Sequence, residues 1–93
     1  MSTRFLVLYW FPREDGADEP RLGLAVPKAG GSAVVRNRIK RQLREAWRAR
    51  LPQVKVGQDY VLIARPGLPQ AVEERGFDWL GERIDEVLQK AAA

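Results

Sequence analysis

Two hydrophobic periods alternate along this chain, and together they outline its elements. Residues 4–11 (Arg-Phe-Leu-Val-Leu-Tyr-Trp-Phe) are aliphatic and aromatic with no Gly or Pro, which predicts a strand. A period of two puts Phe5, Val7, Tyr9 and Phe11 on one face and Leu6, Leu8 and Trp10 on the other. Both faces are apolar, so both must be covered or one must bind something. Residues 12–20 hold two prolines, a glycine and four acids, and read as a polar hairpin loop. Residues 21–26 predict a second strand with Leu22, Leu24 and Val26 on one face. A loop over 27–31 follows, and Ser32 is placed to cap a helix.

Residues 33–50 predict that helix. Val35, Ile39, Leu43, Ala46 and Trp47 form a single apolar stripe, and Pro52 ends it. Residues 59–65 are nearly continuous in apolar side chains, as in a buried central strand. Residues 66–76 read as a loop or broken helix. A final amphipathic helix over 77–91 turns Phe77, Leu80, Ile84, Val87 and Leu88 inward. There are no internal repeats. The order strand, strand, helix, strand, helix predicts an α+β fold: a small mixed sheet packed with two helices, with a parallel crossover beside an antiparallel hairpin.

The 93 residues allow one domain, 1–93, and a 45% hydrophobic, 30% charged composition is that of a globular chain. Cysteine and histidine are both absent. That excludes disulfides, thiol nucleophiles, Cys/His zinc sites and His-based acid–base chemistry, and it fits a cytoplasmic protein. The apolar run 5–11 is too short to cross a bilayer, which needs about 20 residues. No signal-peptide pattern precedes it.

The placement of charge is more informative than the net +4. Residues 21–50 hold nine Lys/Arg against one acid, Glu45, while the rest of the chain is net acidic. Arg36, Lys40, Arg44 and Arg48 are spaced by four and form a line along the helix, with Arg38 and Arg41 away from the apolar stripe. Like charges at this spacing repel, and a helix chosen for stability alone would interleave acids. Arginine forks and a helix N-terminus both suit phosphate, so the pattern predicts a polyanion partner rather than an idle solvated face. Asn37 adds a neutral donor and acceptor, and Gly30-Gly31 permits close backbone approach.

These residues carry a resemblance. The stretch from Arg21-Leu-Gly-Leu-Ala-Val-Pro-Lys28 through Arg36-Asn37-Arg38-Ile39-Lys40-Arg41 to Arg44-Glu45 resembles the signature of the bacterial ribonuclease P protein component. The Asp59–Arg65 strand sequence and the closing helix match in order and spacing. The resemblance runs from about Arg4 to the C-terminus.

The resemblance implies a fold with a left-handed crossover, like that of ribosomal protein S5 domain 2. It implies a subunit that binds the catalytic RNA of ribonuclease P and assists magnesium-dependent removal of the 5′ leader from precursor tRNA. The chemistry then belongs to the RNA, magnesium sits in the RNA holoenzyme, and the protein alone is inactive. Carried over by position, Lys28, Arg36, Asn37, Arg38 and Arg41 face the RNA subunit. Val7 and Tyr9 on the sheet, with Lys40 and Arg44 on the helix, line the leader cleft. The family's N-terminal basic helix and first strand have no counterpart here, one lysine stands where the family often has two, and the charge is low. The missing elements should leave part of the sheet open to self-association.

Other readings of the residues stay open. One is a non-catalytic structured-RNA-binding domain of another ribonucleoprotein, and another is a helix-reading DNA-binding protein. A metal nuclease would draw on acids such as Glu14, Asp15, Asp18 and Glu19 or Glu82, Asp85 and Glu86, all on segments that read as solvated surface. The aromatic face of the first strand also has a plain alternative as ordinary core.

Overall fold

The most apolar strand takes the centre of the sheet. In the computed structural model, which describes residues 1–14, 21–54 and 57–92, the elements are β1 (Leu6–Pro12), β2 (Arg21–Ala25), α1 (Ala33–Arg48), β3 (Gln58–Ala64), α2 (Leu68–Arg75) and α3 (Phe77–Ala92). Short 3-10 turns at Lys28–Gly30 and Leu51–Gln53 precede and follow α1. The sheet order is β1-β3-β2. β3 pairs antiparallel with β1 and parallel with β2. The expected central position of β3 and the α+β class both hold.

The expected hairpin does not form. β1 and β2 are adjacent in sequence, yet β3 lies between them. The reason is burial: Tyr60, Leu62 and Ala64 are all buried, and only a central strand gives β3 a neighbour on each side. The acidic residues 15–20 of the expected hairpin loop lie outside the described residues. A further difference is α2, an eight-residue helix where a loop or broken helix is predicted. Pro69 in its first turn, and Leu68 and Val72 buried beneath it, account for the helix.

One face of the sheet makes the core. Leu6 and Leu8 of β1 face Ala64 and Leu62 of β3 in register, and all four are fully buried. Against them pack Ile39, Leu43, Ala46 and Trp47 of α1 and Leu80, Ile84, Val87 and Leu88 of α3. The apolar stripes of both long helices are thus as expected, apart from Val35, half-buried in the first turn of α1, and Phe77. Phe77 stands 42% exposed, because it opens α3 one turn before the buried face begins at Leu80. Among the described residues no helix is long and apolar enough to cross a membrane.

Ser32 caps α1 as its sequence predicts, accepting a hydrogen bond from the Val35 amide at 3.3 Å. The first turn of α1 has no acid to complement the helix dipole, so this cap is its local support. Ser32→Ala should lower stability by about 1 kcal/mol in urea unfolding. An unchanged midpoint would show that tertiary packing alone holds this helix end.

At the other end of α1, Arg50 turns back over the helix. Its Nη1 donates to the Ala46 carbonyl at 2.9 Å, and its Nε donates to Asp85 of α3 at 2.7 Å. The guanidinium lies over Gly81, where a Cβ would run into it. This clamp fixes the basic helix against α3, so the outward set of α1 is a property of the whole fold.

Candidate nucleic-acid interface

At 3.6 residues per turn, the outward residues of α1 follow one another around its axis in the order Lys40, Arg44, Asn37, Arg48, Arg41, Arg38. They span an arc of about 160°. The arc starts beside the sheet, where Arg44 and Arg48 border a groove with Leu22 of β2. It ends beside α2, where Arg38 borders a second groove with Pro69 and Glu73. Asn37, Arg38, Arg41, Arg44 and Arg48 are exposed, and Lys40 is half-buried. Lys28 is exposed on the 3-10 turn that leads into the helix.

Arg36 is placed differently from the others. It falls one turn before Lys40 and nearer the core seam, is half-buried, and has its Nε buried without a hydrogen-bond partner. Of the five residues expected to face the RNA subunit, four stand outward and Arg36 sits at the inner margin.

The second face of the sheet is uncovered. Tyr9 is 49% and Phe11 54% exposed, although Leu6 and Leu8 on the same strand are fully buried. The register continues this face across the sheet. Tyr9 stands opposite Val61, and Val61 opposite Gly23. Val7 stands opposite Ile63, and Ile63 opposite Ala25. The side chains shrink from aromatic to none on the way to the β2 edge, beside which lies the Arg44 flank of α1. The face is a shelf, high at Tyr9 and low at Gly23. β2 is about 10 Å from β1 at two strand spacings, so Val7 and Tyr9 are separated from Lys40 and Arg44 by the width of this shelf.

One end of the shelf is closed by charge. Phe11 stands opposite Asp59, which takes a two-pronged hydrogen bond from Arg21, Nε at 2.8 Å and Nη2 at 2.7 Å. Arg13 approaches the same carboxylate at 3.6 Å. Asp85 is engaged by Arg50 and by Gln53. Among the described residues no group of three acids could hold a metal ion. The acids Asp15, Asp18 and Glu19 fall outside those residues.

Sequence reasoning finds Val7 and Tyr9 but misses Gly23, Val61 and Ile63. They join the face only through the β1-β3-β2 order, and the expected hairpin hides that order. The alternation in β2, with exposed Gly23 between half-buried Leu22 and Leu24, is the signal that marks its open side.

Comparison with known proteins gives a single answer. Residues 1–92 match the family model described as Ribonuclease P. The chain is 41% identical over 91 residues to a ribonuclease P protein component from Shouchella clausii, covering 98% of this chain and 70% of the relative. It is 47% identical over 91 residues to that of Syntrophomonas wolfei, with 98% and 71% covered. Its fold is similar to the RNase P protein from Thermotoga maritima, with a TM-score of 0.85 at 29% identity over 97% of this chain and 80% of that one. It is also similar to the Staphylococcus aureus RNase P protein, with a TM-score of 0.80 at 28% identity over 98% and 78%.

Proposed function

This chain belongs to the ribonuclease P protein family, and from that premise we propose how its two exposed surfaces divide the work. The family's role is tRNA 5′ processing by the ribonuclease P holoenzyme, of which this protein is a subunit. Its partners are the ribonuclease P RNA and precursor tRNA. We infer that Asn37, Arg38 and Arg41, with Lys28 at the helix entry, dock on phosphates of the RNA subunit. Arg36 steadies this contact from the inner margin. The observation that carries the reading is the outward arc of α1, where five Lys/Arg and Asn37 face a single acid, Glu45.

We further propose that the open sheet face takes the single-stranded 5′ leader. Tyr9 is placed to stack on a base, a contact worth about 1–3 kcal/mol in single-strand sites. Lys40 and Arg44 would hold phosphates where the strand leaves the shelf at the β2 edge. The magnesium of the holoenzyme is proposed to sit on RNA oxygens, since Asp59 and Asp85 are already engaged by arginines. The protein's contribution to cleavage is then affinity and placement: the leader-bearing substrate gains contacts that the leaderless product lacks. In the absence of RNA, a second copy of the chain would compete for the same apolar face. A cytoplasmic location follows from the RNA substrate.

Reconstitution tests the reading. The protein, a bacterial ribonuclease P RNA and a 5′-labelled precursor tRNA are combined at low magnesium, with each macromolecule omitted in turn. Leader release that requires both protein and RNA supports it. Cleavage by protein alone, or failure to bind the RNA, would end it.

Gly23→Leu tests the shelf separately. A Cβ at Gly23 meets nothing closer than 3.8 Å, and the position is ordinary extended strand, so the fold should tolerate the change. The new side chain would stand across the path to α1. Preference for leader-bearing over mature tRNA should fall several-fold, with catalytic-RNA affinity unchanged. An unaltered preference would place the leader elsewhere.

A further inference from the structure

A second group of arginines lies on the α3 side of the molecule. Trp79 of α3 and Phe5, at the entry to β1, meet edge to face with ring centroids 5.0 Å apart and planes at 81°. Three guanidiniums lie on this pair. Arg75 and Arg83 stand 5.7 Å and 5.3 Å from the Trp79 centroid, and Arg4 stands 5.3 Å from that of Phe5. Arg65, just past β3, is tied in through its amide, which donates to the Phe5 carbonyl at 2.9 Å. Two shallow grooves meet here, sharing Arg4, Phe5 and Arg75.

These arginines are poorly matched by acids. Arg4, Arg65 and Arg75 are exposed and form no ion pair among the described residues. Arg83 approaches Glu82 and Glu86 no closer than 3.8 Å, beyond hydrogen bonding, and its Nε is buried without a hydrogen-bond partner. Glu74 on the groove rim takes a hydrogen bond from Gln70. By contrast, Arg50, which follows α1 and lies against the other side of α3, has two hydrogen bonds to Asp85. Forks that no acid hydrogen-bonds, laid over aromatic rings, offer two things at once: donors for phosphate and planes on which an unstacked base can lie. A duplex has no free base faces to use those planes, so the combination fits single-stranded RNA.

The location suits the same strand. Phe5 precedes Tyr9 by four residues, about 13 Å along β1 at 3.3 Å per residue. RNA crossing the open face at Tyr9 and Val7 reaches this group at the start of the strand. We propose that Arg4, Arg75 and Arg83, braced on Phe5 and Trp79, bind a segment of the leader beyond the one that lies on the sheet. This rests on the leader reading of the sheet face.

The test is leader length. Holoenzymes carrying wild-type protein, R4Q/R75Q, R83K or Y9A are titrated with two precursor tRNAs. One leader is just long enough to cover the sheet face, and the other extends several nucleotides beyond it. For R4Q/R75Q the affinity gained from the longer leader should fall about tenfold, and the salt slope of that gain should drop by about 1.4, or ~0.7 per single-strand phosphate contact. Affinity for the short leader should stay as in wild type. R83K keeps the charge but removes the planar fork, and should lose part of the same gain with an unchanged melting curve. Equal losses for both leaders would overturn the proposal, because the arginines would then hold the catalytic RNA or the tRNA body. No loss for either would reduce the group to an internal brace. Y9A should weaken both substrates; if it weakens neither, the sheet-face reading fails independently of the arginine result.

Discussion

Removing Arg38 and Arg41 together, as alanines, is expected to weaken binding of the catalytic RNA about 100-fold at moderate salt. The figure takes ~1.4 kcal/mol for each lost phosphate contact, just below the range of about 1.5–3 kcal/mol for hydrogen bonds to charged groups. The slope of log affinity against log salt should fall by about 1.8, at ~0.9 per contact. Both side chains are exposed, and neither makes a hydrogen bond or ion pair among the described residues. Nothing inside the fold is left unsatisfied by their loss, so unfolding should shift by no more than ~0.5 kcal/mol. Losing two of six like charges on one helix should slightly favour the isolated protein. That sign contrast, weaker binding with unimpaired stability, separates an RNA-docking role from a structural one. Wild-type affinity in the double variant would remove the α1 arc from the RNA interface.

The chain's own pattern reveals that arc because an amphipathic helix is a local object. The stripe Ile39, Leu43, Ala46 and Trp47 fixes which side is inward, and the arginines on the other side are then outward by geometry. Arg36 is the exception and it is also geometric: its position places it at the seam, where counting basic residues cannot distinguish it from Lys40. The sheet is less legible, because its order depends on contacts between distant segments. Alternation in β1 gives two apolar faces without saying which is buried. Only the pairing of Leu6 and Leu8 with Ala64 and Leu62, under α1 and α3, leaves Tyr9 and Phe11 outside. The interposition of β3 between β1 and β2 likewise has no local signature, so Gly23 and Val61 cannot be joined to Tyr9 in advance. The Arg4, Phe5 and Trp79 group brings together residues more than seventy positions apart in the chain.

Trp47→Ala is expected to have the largest effect on stability, a loss of about 3–5 kcal/mol. Trp47 is 4% exposed, and its ring lies 5.3 Å from that of Tyr60 at an angle of 58°. It joins the inner stripe of α1 to the central strand, so truncation leaves a void between the two elements that carry the proposed interface. A chain of this size has about 5–15 kcal/mol of stability in all. The melting temperature should therefore fall by roughly 15–30 °C. Trp47→Phe keeps a ring against Tyr60 and should cost much less. The consequence for function is indirect. The basic arc depends on α1 staying docked, so the alanine variant should bind RNA weakly when warm and regain affinity on cooling. RNA binds the folded form, and a saturating excess should restore part of the lost melting temperature by mass action. The Arg38/Arg41 variant should behave in the opposite way, with a normal melt and little RNA-induced stabilisation at any temperature. If Trp47→Ala instead melts near wild type while losing RNA affinity, Trp47 belongs to the interface and not to the core. Its place in the groove beside Arg44 and Arg48 makes that outcome measurable.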